Sequence, residues 1–145
     1  MHRLAKTFAI VAMVTLSWTS TSLGHAQVKG GIDEIVRELG FANEMPVAKS
    51  VAAMGAMLSV ARAKLPEREY LQLVDSLPGT ERVITQASNA LSGELPTDMA
   101  GVAKAYDKLA LPPSQATAHR RFVLDYLGKN GGRKIVPLLQ KAWKE

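Results

Sequence analysis

The chain has 145 residues, no cysteine, and 18 basic residues against 13 acidic ones, which gives a formal net charge of +5. The absence of cysteine excludes both a disulfide framework and a thiolate metal site. A chain of this length is expected to form one domain that is stabilised by packing alone.

The first 26 residues have the pattern of a secretory signal peptide. Arg3 and Lys6 provide a basic start, and a mostly apolar stretch covers residues 7–18. Small residues at Gly24 and Ala26 fit the subsites of a signal peptidase, so we predict cleavage after Ala26 and a periplasmic or secreted protein. The alternative is a retained N-terminal membrane anchor, although the Ser/Thr-rich sequence that follows makes the apolar run short for a span.

Residues 27–145 are predicted to form a single all-α domain, a compact bundle of about six to seven short helices with orthogonal packing. The helical periodicity is interrupted only by short breaks at Gly and Pro, and no stretch shows the alternation of a β-strand. The first helix is expected from Ile32 to Leu39, with Gly40 as its C-terminal stop.

The second helix is predicted to lie at the centre of the domain. Asn43 can cap it, Pro46 fits its first turn, and it extends to about Lys64. No charge occurs from Ser50 to Ala61, which is typical of a buried helix and too short to span a bilayer. An oligomer or membrane seam is the alternative. A row of small residues would let a neighbouring backbone approach closely. The row consists of Ala48, Ala52, Gly55 and Ser59.

Five further helices are predicted between breaks at Pro and Gly. They cover about Pro66–Leu77, Glu81–Leu91, Thr97–Leu109, Ser114–Leu127 and Arg133–Lys144. Thr97 is the expected N-cap of the fifth helix. Pro137 requires the last helix to begin late enough to keep this proline in its first turn, because otherwise the helix will kink there.

Several short motifs then occur in a characteristic order. They are Ala63-Lys64-Leu65, Leu73 to Gly79 (LVDSLPG), Ala100-Gly101-Val102, Lys108 to Pro112 (KLALP), Val123 to Tyr126 (VLDY), Asn130-Gly131-Gly132 and Val136 to Leu139 (VPLL). In this order the motifs resemble the VcgC/VcgE-type bacterial domain of unknown function, whose members are small, exported and helix-rich. The resemblance covers about Ile32 to Trp143 and implies an exported helical protein. It implies no particular activity. This chain departs from the family in placing Arg120-Arg121 and Arg133-Lys134 near the turns.

Few residues of this chain could carry chemistry. His119 is the only histidine after residue 26, which excludes a zinc site of imidazole and thiolate ligands, and no serine lies in a G-x-S-x-G turn. Residues 128–134 (GKNGGRK) lack the spacing of a phosphate-binding loop and are interpreted as an interhelical turn. We therefore predict a protein without enzymatic activity, cofactor or metal. A deeply buried Asp75, Asp107 or Asp125 in a cleft would favour an enzyme instead.

Positive charge is concentrated at the C-terminal end. Residues 27–119 hold 9 basic and 11 acidic side chains, whereas residues 120–145 hold 7 and 2. This asymmetry predicts an anionic partner, either an acidic protein face or an anionic envelope surface, and a merely solvated face is the alternative. Nucleic acid is not expected as a partner, because of the export signal and the lack of exposed aromatic residues among the cations. The candidate binding residues are Arg120, Arg121, Lys129, Arg133 and Lys134.

These features together predict a binding or structural protein of the cell envelope. A carrier of a small apolar ligand is the alternative, with an adaptable pocket lined by methionine. The methionines of residues 27–145 are Met45, Met54, Met57 and Met99. An internal cavity on the order of several hundred Å³ would favour the carrier, and a close-packed interior would count against it.

Overall fold

In a computed structural model, residues 27–144 form seven α-helices and contain no β-strand, which confirms the all-α fold predicted from the sequence. The helices are α1 (Gly31–Ala42), α2 (Val47–Lys64), α3 (Glu67–Ser76), α4 (Thr80–Ala90), α5 (Met99–Lys108), α6 (Gln115–Lys129) and α7 (Val136–Ala142). The predicted signal peptide and the predicted cleavage after Ala26 fall outside the described residues.

Helix α2 lies at the centre of the domain. Every residue from 52 to 61 is buried, as the lack of charge in this stretch predicted. Helix α2 contacts α1, α3, α4, α5 and α7, and α6 completes the bundle by packing on α1, α5 and α7. Across residues 27–144, no helix is both long and apolar enough to cross a membrane. The interpretation of α2 as a buried core helix is confirmed.

Gly55 determines how closely α2 and α4 approach each other. A Cβ atom placed on Gly55 would lie 2.3 Å from the carbonyl oxygen of Val83 and 2.6 Å from the Cβ of Ala87. Close packing in protein interiors leaves no room for such an atom. The row of small residues therefore brings two backbones together, although Ala48 at its start is exposed.

The turn between α1 and α2 differs from the sequence prediction. Gly40 does not end α1, which continues to Ala42. A Cβ on Gly40 would lie 2.6 Å from Oγ of Ser50, so this glycine makes room for the start of α2 instead. Asn43 does not cap α2 either, because its Nδ2 donates to the carbonyl of Leu39 at 2.8 Å and so closes the end of α1.

Two later helices begin at other residues than predicted. Asp98, not Thr97, caps α5, and its carboxylate accepts the backbone N–H three residues later at 2.7 Å. A charged carboxylate is a stronger acceptor than a hydroxyl. Helix α7 begins at Val136 rather than Arg133. Pro137 then lies in the first turn, where the missing N–H breaks no helical hydrogen bond, as expected.

Two buried hydrogen bonds fix the C-terminal half of the chain to α2. Trp143 is 1% exposed, and its Nε1 donates to the carbonyl of Met57 at 2.8 Å. Oγ of Ser59 lies 2.9 Å from the carbonyl of Pro96 in the loop before α5. These contacts hold α5 and the end of α7 beside the C-terminal half of α2.

Candidate functional site

The structure does not bring the five cations of the C-terminal region together at one place. Four of them are exposed and Arg120 is half-buried. They fall into three groups. The first is Arg120, the second is Arg121 with Lys129 and Arg133, and the third is Lys134.

Arg120 is bound to the end of α7. Its guanidinium donates to the carbonyl of Trp143 at 2.8 Å, which satisfies an acceptor that the helix itself leaves open. The side chain also lines a shallow groove of about 340 Å³ together with Leu124, Gln140 and Lys144. Arg120 thus contributes to the attachment of α7 to α6.

Arg121, Lys129 and Arg133 lie on or near the outer face of α6. Arg121 and Lys129 are two turns apart, with Asp125 midway between them. The Nε of Arg133 donates to the carbonyl of Gly128 at 3.3 Å, which places this guanidinium beside the same end of α6. The carboxylate of Asp125 reduces the positive potential of this group.

Lys134 lies in a separate groove of about 570 Å³ along α3. This groove also contains Glu67, Arg68 and Asp75, so its charges are mixed. Nearby, Nζ of Lys141 in α7 lies 3.0 Å from Oε2 of Glu69 in α3, so this ion pair joins α7 to α3. Lys134 is therefore part of a polar contact region between α3 and the start of α7.

A different groove, with a largely apolar lining, lies between α5 and α6 and is called the α5–α6 groove. Its volume is about 510 Å³, which falls within the range of small-molecule sites. The apolar lining consists of Met99, Ala100, Ala103, Pro113 and Ala116. This groove could not be predicted from the sequence, because alanine at these positions gives no chemical signal.

Charged residues are found at the margins of the α5–α6 groove. Lys64 comes from the end of α2, Lys144 follows α7, and Asp98 precedes α5. The Nζ of Lys64 lies 3.5 Å from the carbonyl oxygen of Lys144, so these two residues meet at one end of the groove. Asp98 is engaged as the cap of α5.

A buried polar pair connects α5 and α6. The hydroxyl of Tyr106 lies 2.6 Å from Nδ1 of His119, and both side chains are 0% exposed. Burial lowers the pKa of His119 and raises the pKa of Tyr106. The imidazole is therefore neutral near pH 7. We assign Tyr106 as the donor to Nδ1, because the other tautomer would leave both the tyrosine proton and Nε2 without a partner.

Two polar atoms of α6 remain without a hydrogen-bond partner among the described residues. They are Nε2 of His119 and Oε1 of Gln115, which are buried and one helical turn apart. With Nδ1 accepting, Nε2 carries the hydrogen, so one atom is a donor and the other an acceptor. His119 therefore occupies a core position, and burial is the cause of its lowered pKa.

The methionines do not form one pocket. Met54 and Met57 are fully buried in the packed core of α2, and Met45 is half-buried near the start of that helix. Met99 alone lines the α5–α6 groove. The methionines therefore do not line a common cavity that could hold a ligand.

The described residues contain no group of three or more His, Cys, Asp or Glu side chains that could hold a metal ion. Asp75, Asp107 and Asp125, which would favour an enzyme if they were buried in a cleft, are all exposed. These carboxylates lack the desolvated environment that tunes a general acid or base.

Comparison with known proteins gives one match. No curated protein and no solved structure matches the chain. A family profile matches residues 19–144, which extends the resemblance found in the sequence to nearly the whole chain. The chain therefore belongs to the family described as protein of unknown function VcgC/VcgE (DUF2780).

Proposed function

We propose that this protein is exported and acts in the cell envelope as a non-enzymatic binding protein, with a small apolar ligand in the α5–α6 groove. The observation that carries the proposal is the groove itself, with its volume of about 510 Å³ and its floor of alanine, proline and methionine. Ligand sites are commonly concave, mostly apolar and bordered by a few polar groups.

Export is supported by the basic start, the apolar run and the small residues before position 27. It would place the protein among lipids and other amphipathic molecules of the envelope.

The non-enzymatic role is supported by the state of the few reactive groups. His119 is buried against Tyr106 and does not line the α5–α6 groove. The groove lining contains no histidine or serine, its hydroxyl group is that of Thr117, and its one carboxylate, Asp98, is occupied as a helix cap. Thr117 has no histidine beside it in the lining that could act as its general base. A general base or nucleophile needs access to the reacting atom, so this lining favours binding over catalysis.

Native mass spectrometry of the protein from the periplasm of expressing cells tests this proposal. We expect a chain that begins at Gln27 and carries an added apolar mass. Ala103→Leu fills the groove and should remove that mass. Ala118→Leu makes the same substitution on the exposed face of α6 and should retain it. A bare mass for the unaltered protein, or equal loading of the Ala103→Leu variant, would contradict ligand binding in the groove.

A second candidate function is docking to an anionic membrane surface. It is favoured by Arg121, Lys129 and Arg133, which are exposed on or near the outer face of α6, and no ion pair within residues 27–144 engages them. Clusters of cations attract anionic lipid headgroups with about 1 kcal/mol for each Lys or Arg near the surface.

Charge reversal tests this docking surface. The double variant Arg121→Glu/Arg133→Glu should lose salt-sensitive binding to vesicles that contain phosphatidylglycerol. The variant Lys49→Glu/Lys104→Glu changes the net charge by the same amount on α2 and α5, away from this surface, and should bind almost normally. Equal binding by both double variants would show that only net charge matters, and would rule out this surface.

A further inference from the structure

The α5–α6 groove has an asymmetric distribution of charge. One end holds Lys64 and Lys144, where Nζ of Lys64 lies 3.5 Å from the backbone carbonyl of Lys144. Between α5 and α6 the lining consists of methionine, alanine and proline, with Thr117 as a polar residue beside Ala116. The sole described carboxylate of the lining belongs to Asp98, and its Oδ1 accepts a backbone N–H at 2.7 Å.

This asymmetry has a chemical counterpart among ligands. A lysine ammonium is a strongly hydrated cation with three donors, and an oxyanion is its natural partner. Close to an apolar wall such a pair is less screened by water than on an open surface. A ligand with an apolar chain and one anionic head would therefore complement both parts of the groove.

We propose that the α5–α6 groove binds an anionic amphiphile, a single apolar chain that ends in a carboxylate or phosphate. The chain lies along Ala100, Ala103 and Ala116, and the head group contacts the ammonium groups of Lys64 and Lys144. This inference rests on the proposed ligand-binding function and specifies the class of ligand that the groove selects.

Calorimetric titration of the full chain with matched probes tests the inference. Octanoate and octyl phosphate carry the anionic heads, octanol has the same chain without charge, and octyltrimethylammonium has the opposite charge. We expect octanoate or octyl phosphate to bind about tenfold more tightly than octanol, since charge-assisted hydrogen bonds are the strong ones. The preference should decrease as salt is added.

Variants identify the residues that select the head group. Lys64→Gln/Lys144→Gln should reduce the affinity for octanoate about tenfold, to that for octanol. Lys64→Arg/Lys144→Arg keeps the charges and should retain most of the affinity, which also controls for folding. Lys29→Gln removes an exposed lysine before α1, which does not line the groove, and should leave binding unchanged.

The outcomes separate this inference from the proposed function. If octanol binds as tightly as octanoate and Ala103→Leu abolishes both, the groove binds apolar ligands without selecting anions, and the inference is wrong. Tightest binding of octyltrimethylammonium would overturn it as well, because Asp98 would then select the head group. If none of the probes binds, both the proposed function and the inference fail. A preference for octyl phosphate over octanoate would identify the head as a phosphate.

Discussion

Helix α2 is packed in two different ways on its two sides. Against α4 it makes backbone contact at Gly55, where no side chain separates the two helices. Toward α5 and α7 it is joined through larger side chains and hydrogen bonds, such as that from Trp143 to the carbonyl of Met57. The α5–α6 groove and the buried pair of Tyr106 and His119 both belong to this second side.

The difference shows how one central helix can support both a rigid core and a binding surface. Small residues let two helices fit together without gaps, because little side-chain volume has to be matched. Bulky and polar side chains fill space less evenly. On this side of α2, the small alanines of α5 and α6 leave the α5–α6 groove unfilled. Substitutions on the two sides should therefore affect stability by different amounts and for different reasons.

The largest effect is expected at the α2–α4 contact. Gly55→Ala forces a methyl group against the carbonyl of Val83, and no side-chain rotation can relieve a clash with the backbone. We expect a loss of about 3 kcal/mol or more in the free energy of unfolding, the upper range for an overpacked core. Urea denaturation followed by circular dichroism measures this loss.

Gly128→Ala is the matched control for Gly55→Ala. Gly128 also lies within a helix, but a Cβ there would have no heavy atom within 4 Å. Alanine has the higher helix propensity, so the variant should be up to about 1 kcal/mol more stable than the original protein. If Gly55→Ala were as stable as Gly128→Ala, the close approach of α4 would not be the reason for glycine at position 55.

The next-largest effect is a dependence of stability on pH, which is expected from His119 on the α5–α6 side of α2. Burial lowers the pKa of His119 below its ordinary value of 6.5, so the unfolded chain binds a proton that the folded chain excludes. The free energy of unfolding should fall as the pH decreases below about 6.5, by at most about 1.4 kcal/mol per pH unit, until His119 is protonated in the fold. Denaturation between pH 7.5 and pH 5.5 measures this slope.

His119→Asn removes the titrating group while keeping an acceptor near the hydroxyl of Tyr106. The variant should be less stable at pH 7.5, and its stability should change less over the same range of pH. Tyr106→Phe instead leaves Nδ1 of His119 buried without a donor, at a cost of about 1–3 kcal/mol. An unchanged pH slope in His119→Asn would show that other groups cause the dependence.

The smallest effect is expected at the start of α5, beside the α5–α6 groove. Asp98→Ala removes the cap that accepts a backbone N–H and should cost about 1 kcal/mol. Thr97→Ala changes the adjacent exposed residue, which caps nothing in this fold, and should alter stability by less than about 0.5 kcal/mol. A larger loss of stability for Thr97→Ala than for Asp98→Ala would show that Thr97, and not Asp98, caps α5. Thermal denaturation resolves the difference.

Much of the fold could be predicted from the sequence, because its main signals are local. The uncharged stretch from Ser50 to Ala61 identified the central helix, and Pro137 indicated where α7 could begin. The errors at Gly40 and Asn43 have a common physical reason. Both residue types are frequent at helix ends, and only the position of Ser50 on the following helix shows that Gly40 makes room for a neighbour.

The candidate site was much harder to predict than the fold. The α5–α6 groove is lined by residues from four segments, and most of them are alanine or proline, which packing alone turns into a binding surface. The excess of cations was visible in the sequence, but its separation into three places was not. The environment of Lys64 depends on the end of α7, which is 80 residues later in the chain.

The residues just before α1 are already hydrogen-bonded to the rest of the domain. Val28 is 3% exposed, and its N–H donates to the carbonyl of Ser76 at 2.9 Å, while the N–H of Lys29 donates to the carbonyl of Asn130 at 3.1 Å. A peptidase that cuts after Ala26 must hold residues on both sides of the cut. If the predicted cleavage after Ala26 takes place, it would therefore compete in time with folding, because a chain that folds first would hold Val28 and Lys29 in the domain and protect the cleavage site.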